Sequence, residues 1–270
     1  MFGFHGLLGL AATLTLAGIR LDGTHLAGTQ ADGASSTPAA TSAETDVRLE
    51  HFVLEIRAPA LDDAQPTTRE VGLACMRRRP IEGYEHGMQL ECECLFRRDA
   101  DAGEPEHVLH VERLSNEGPR LVWREWGPAR ARSLTAEWTR DGKGLRMVES
   151  CRGGMPRETL AAGDGAVMPL YLLELARGGG VTSGKYRRLD PLSRDLETIE
   201  LWTSNRVESG ANVRVVDFTR ADGSLAGRFE FRGTDLVSFQ WQESDLFARR
   251  ITAQQYAERS ASPAVVDRRP

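Results

Sequence analysis

Residues 88–97, MQLECECLFR, decide the fold. Met88, Leu90, Cys92, Cys94 and Phe96 occupy alternate positions, Gln89, Glu91, Glu93 and Arg97 lie between them, and Leu95 is the exception. A pleated strand sends successive side chains to opposite faces, so this period of two describes a half-buried strand of an antiparallel sheet. The alternation returns in LAGRFEFR at 225–232, with Phe229 and Phe231 on one face and Arg228, Glu230 and Arg232 on the other. Phe52, Leu54 and Ile56 repeat it near the start, Leu134, Ala136 and Trp138 in the middle, and Val237, Phe239 and Trp241 towards the end.

Turn chemistry joins these strands in order. Asp141-Gly142 separates the Trp138 strand from one holding Leu145 and Met147, and Asp222-Gly223 separates the 213–218 strand from the Phe229 strand. Asp-Gly supplies the positive φ angles of tight hairpin turns. Gly233 and residues 116–119 mark two further turns. The expectation is a mainly β chain of ten or eleven strands in sequential hairpins, without the long helices that a parallel βαβ arrangement needs.

Two helices are expected. Pro169 opens PLYLLELAR at a position where its missing N–H does no harm, and Gly178 closes it. Leu170, Tyr171, Leu172, Leu173 and Leu175 surround most of its circumference, so this helix should be enclosed. A short C-terminal helix starts at Thr252, with Gln255 three residues on in a capping-box pattern.

The chain has 270 residues, a formal charge of −5, 40% hydrophobic and 27% charged residues. That composition excludes a disordered chain, and the mild acidity argues against a nucleic-acid partner. Residues 7–19, LLGLAATLTLAGI, are too short to span a membrane but fit the apolar core of a secretory signal, although the preceding residues hold no Lys or Arg. Residues 1–19 are therefore expected to be a signal or anchor, 20–45 a Gly/Ala/Thr/Ser-rich linker, 46–259 a single β domain and 260–270 a tail. Export to the periplasm or the extracellular space follows if the run is a signal, and a cytoplasmic location if it is not.

The chemistry-bearing residues are few. Cys75, Cys92, Cys94 and Cys151 could form disulfides or remain buried thiols, or Cys92 and Cys94 could join His107 and His110 around a metal. Cys92 and Cys94 share a strand face, so each suits a bridge to another strand better than to its neighbour. Metal is disfavoured because zinc sites use other spacings and because His107 and His110 should face opposite ways. No GxSxG, HExxH, phosphate loop or dinucleotide fingerprint occurs. Glu91 with Glu93, and Glu197 with Glu200, read as solvated faces, and His51 lacks a visible nucleophile. A non-enzymatic protein without a cofactor is expected.

A twisted antiparallel sheet of this size must curl, close or split. With the Pro-led apolar run Met168-Pro169-Leu170-Tyr171-Leu172-Leu173 placed late in a β-meander, the chain resembles the half-barrel folds of bacterial envelope proteins such as the LolA and LolB lipoprotein carriers. The resemblance implies an open barrel that binds a lipid or acyl chain, with the 170–175 residues as lid and Trp138 and Trp241 among the lining. The chain lacks the lipidation Cys of LolB-like members. The alternative expectation is a structural or protein-interaction module of the envelope, filled by its own helix and lacking a ligand pocket.

Overall fold

In a computed structural model, residues 47–57, 68–84, 87–96, 107–127, 131–139, 141–181, 183–191, 193, 195–241 and 246–261 are described. The expected signal and linker, nearly all of the expected tail and the Trp241 side chain lie outside them.

The chain begins with β1 (Arg48–Arg57), β2 (Thr68–Pro80), β3 (Met88–Phe96), β4 (His107–Leu114), β5 (Arg120–Trp126), β6 (Ala131–Trp138) and β7 (Gly144–Cys151). β8 (Arg157–Ala162), β9 (Ala166–Val167), α1 (Pro169–Arg177) and β10 (Gly184–Asp190) follow. β11 (Asp195–Glu208), β12 (Ala211–Arg220), β13 (Leu225–Arg232), β14 (Asp235–Trp241), β15 (Leu246–Ile251) and α2 (Ala253–Ser260) complete it. All strands belong to one sheet, ordered β8-β7-β6-β5-β4-β3-β2-β1-β15-β14-β13-β12-β11-β10-β9. Neighbours are antiparallel except β9 and β10.

The mainly β reading holds, but among the described residues there are 15 strands, not ten or eleven. The additional strands lack the alternation that makes a strand visible. β8 is exposed along almost its whole length, β9 has two residues, and the second half of β11 is exposed on both faces.

The sheet curls around α1. Side chains of α1 pack in one core with Phe52 of β1, Met76 of β2, Leu90 of β3, Phe218 of β12 and Phe229 and Phe231 of β13. Strands this far apart in the sheet order reach one short helix only if the sheet wraps around it. A second core joins Trp123, Leu134, Trp138 and Met147 of β5–β7 to Leu189 of β10, so the two ends of the sheet also meet. Gly142 and Gly223 take the expected positive φ, 70° and 84°, in the hairpins β6–β7 and β12–β13.

Two local departures have physical causes. A bulge in the β13–β14 pairing turns Leu236, not Val237, into the core. Leu95, the exception in the opening stretch, faces outward beneath α2, in a small outer cluster with Val53, Leu73, Ile251 and Tyr256. α2 begins with the expected capping box, Thr252 Oγ1 accepting from Gln255 N at 3.1 Å and Gln255 Oε1 accepting from Thr252 N at 3.0 Å.

Candidate functional site

The N-terminus of α1 is met by a carboxylate from the sheet. A helix leaves its first N–H groups without internal partners. Glu112 of β4, with 0% exposure, accepts from Leu170 N at 2.8 Å and Tyr171 N at 2.7 Å. Negative charge also suits the positive end of the helix dipole. His110 Nε2 lies 2.9 Å from Glu112 Oε1, without the alignment of a hydrogen bond.

The C-terminus is held by opposite charges. Arg177 Nη1 and Nη2 donate to Glu50 Oε1 and Oε2 of β1 at 3.0 and 2.6 Å, and Nη1 also donates to Thr234 O at 2.9 Å. Arg214 of β12 lays its guanidinium over the Phe231 ring and donates to the terminal carbonyls of Ala176 and Arg177, at 2.5 and 3.2 Å. Burial pulls the Arg214 guanidinium below its usual range, whereas Glu50 and Glu174 outweigh burial and hold Arg177 above it.

Between these ends the helix is packed. Leu170, Leu172, Leu173 and Ala176 are buried, while Tyr171 and Leu175 are half-buried. Tyr171 touches both cores. The crevice between Leu170, Leu173, Arg177 and strands β1–β3 holds about 20 Å³, room for roughly one water. The expected enclosure of the helix is found.

The sheet fails to close at one seam. Its edge strands, β8 and β9, are consecutive in the chain, joined through residues 163–165. Arg187 of β10 bridges one end of the gap, donating to Asp164 O at 3.0 Å and Ala162 O at 3.2 Å. At the other end lies a hollow of about 340 Å³, with Leu134 and Met147 as floor and Glu149, Arg157, Thr159, Ser193 and Asp195 around it. β8 has a ladder neighbour on one side only; its Leu160 is 76% exposed and Met155, just before it, 94%.

All four cysteines are free thiols. Cys92 and Cys94 point into the core with their Sγ atoms 3.9 Å apart, and the bond between them and burial push the Cys92 thiol well up. Cys75, on the outer face opposite His51, is likewise raised by burial. Cys151 is exposed at the end of β7, with Sγ 3.3 Å from Glu149 Oε1. Cross-strand bridging is thus corrected by geometry: Cys75 lies on the wrong face, and Cys151 several strands away.

His107 and His110 do face opposite ways. His107 stacks on Trp126 at 4.7 Å and contacts Glu93 Oε1 at 3.1 Å on the outer face, while His110 lies beneath α1. The two therefore do not converge with Cys92 and Cys94. Glu91 and Glu93 pair with Arg77, and Glu197 accepts from Arg188 and Arg220. Trp138 is buried in the second core. Among the described residues no helix is long and apolar enough to cross a membrane.

Sequence reasoning missed Glu50, Glu112, Arg177 and Arg214. The available signal was polarity inverted along β4, where His110 and Glu112 face in and Leu109 and Val111 face out.

No protein-family model and no curated protein matches this chain. Among solved structures it is similar to a β-barrel-like protein of a domain of unknown function, DUF1849, from Brucella abortus. They share 12% identity over 75% of this chain and 93% of that one, with a TM-score of 0.43. The likeness does not single out the LolA and LolB carriers.

Proposed function

We propose that this protein is a non-enzymatic interaction module of the bacterial envelope, a curled sheet filled by its own helix that acts through its outer surface and open seam. The observation that carries this reading is the seating of α1. A carrier of acyl chains needs apolar volume that a ligand can enter. Here Leu170, Leu172 and Leu173 occupy that position, and each end of the helix is tied by buried charged hydrogen bonds. Such bonds contribute on the order of 1.5–3 kcal/mol each, so lifting the helix to admit a lipid costs several of them at once. The envelope location rests on the apolar run at 7–19. The lack of a GxSxG, HExxH, phosphate-loop or dinucleotide motif in the sequence supports the non-enzymatic part.

The test is native mass spectrometry of the full chain purified gently from an exporting host. The expected result is a clean protein mass that stays unchanged after incubation with lipid extract. A copurified mass of lipid size, lost on organic extraction, overturns the filled-module reading in favour of a hydrophobic carrier.

A further inference from the structure

The free edge of β8 has a definable chemistry. In an antiparallel ladder the N–H and C=O of one residue point to the same side, and successive residues alternate. Gly163 N donates to Lys143 O at 2.7 Å, so the odd-numbered residues of β8 face β7. Glu158, Leu160 and Ala162 therefore turn their backbone groups into the seam. Ala162 O already accepts from Arg187. Glu158 and Leu160 remain as the strand's open docking groups.

The side chains flanking this edge differ between faces. On the outer face Leu160 is exposed, while neighbouring Glu158 is held by Arg146 in two bonds, at 2.9 and 3.1 Å. On the inner face the hollow lies directly beside Thr159, and Arg157 sits across the β7–β8 pairing from Glu149. Across the gap stands Asp195, at the start of β11, which lines the hollow with Glu149 and Arg157. A strand entering the seam thus meets exposed Leu160 outside and, inside, a lining in which the carboxylates of Glu149 and Asp195 outnumber the guanidinium of Arg157.

We infer that the seam takes an extended segment of a partner protein that adds to β8 as a further strand, with apolar side chains outward against Leu160 and basic side chains inward towards Asp195. The inference rests on the interaction-module reading and names the chemistry of its partner. Main-chain hydrogen bonds provide the affinity in strand addition, and the alternating side chains provide the selectivity.

The probes are two short synthetic peptides, one alternating Val and Lys, the other alternating Val and Glu, titrated into the full chain by calorimetry and followed by hydrogen exchange. The Lys peptide is expected to bind about tenfold or more tightly than the Glu peptide, slowing exchange at Glu158 and Leu160. Leu160→Pro deletes a seam-facing N–H without removing a β7 bond, because proline is tolerated on the open side of an edge strand. It should abolish binding while leaving the melting temperature close to that of the parent. If Leu160→Pro fails to fold, Asp195→Asn provides the second arm and should shrink the preference for Lys over Glu. Equal binding of the two peptides, no binding of either, or unchanged binding by a folded Leu160→Pro overturns strand addition. The mass measurement above is untouched by those outcomes, so failure of this inference is distinct from failure of the filled-module reading.

Discussion

At the scale of single residues, the most consequential is Glu112. Its carboxylate satisfies two helix N–H groups from a strand 58 positions earlier in sequence than Leu170. Replacing it with Ala leaves both donors buried and unmet, which should cost on the order of 2–4 kcal/mol, whereas Glu112→Gln, which keeps one acceptor, should cost less. Urea unfolding checks the order; equal stability of both variants and the parent contradicts the role given to Glu112. Proton linkage gives a second residue-scale expectation. Burial raises the Cys75 thiol and pushes Tyr256 up to about 12, and the hydrogen bond to Cys94 together with burial raises Cys92. Each group holds its proton more tightly when folded, so this stability is complete below about pH 8.5, the ordinary thiol value, and is lost as pH rises through the folded values. The urea midpoint should therefore fall steadily above that pH, less so in Cys75→Ser. A midpoint flat into the alkaline range contradicts the burial of these groups. None of these roles was legible in sequence, because each depends on a partner brought close only by curling. Arg177 reads as an ordinary basic residue in a last helical turn until Glu50, 127 positions away, is found against it.

At the scale of elements, legibility followed burial on one side. β3, β6 and β13 each have one core face and one wet face, so period two reveals them, and α1 is revealed by its nearly continuous apolar run after Pro169. β8 is wet on both faces, and β1 is buried on both over Phe52–Leu54, because α2 covers its outer side. Alternation cannot report β8, and in β1 it revealed Phe52, Leu54 and Ile56 but not the burial of Val53 between them. The same distinction sets the cost of mutation. Leu172→Ala, in the packed interior of α1, should destabilise by about 2–5 kcal/mol. Leu160→Ala, on exposed β8, should fall within roughly 0.5 kcal/mol of the parent. Chemical denaturation of the pair checks this; a large loss at Leu160 with none at Leu172 contradicts the placement of both residues. Thr159→Pro, which removes a β7 ladder bond, should destabilise more than Leu160→Pro, and the reverse order contradicts the assignment of the free edge.

At the scale of the whole molecule, the curl makes one hydrophobic core out of strands from distant parts of the chain, and α1 is the body around which they close. Its two ends are fixed by complementary charge, a carboxylate at the positive end of the helix dipole and guanidinium groups at the negative end. The sequence reading anticipated a curled sheet with an enclosed helix, but it left open whether that helix was a lid over a cavity or the filling itself. We propose the filling on the strength of packing and end-capping, neither of which has a local sequence signature. Hydrogen exchange on the full chain, with and without lipid extract, tests this most directly at the amides of Leu170, Tyr171 and Leu172. A helix that fills the sheet should exchange as slowly as β1 and β13, through global unfolding, at a rate that lipid does not alter. Fast exchange confined to α1, or exchange at α1 that changes when lipid is added, contradicts the account and makes the helix a lid.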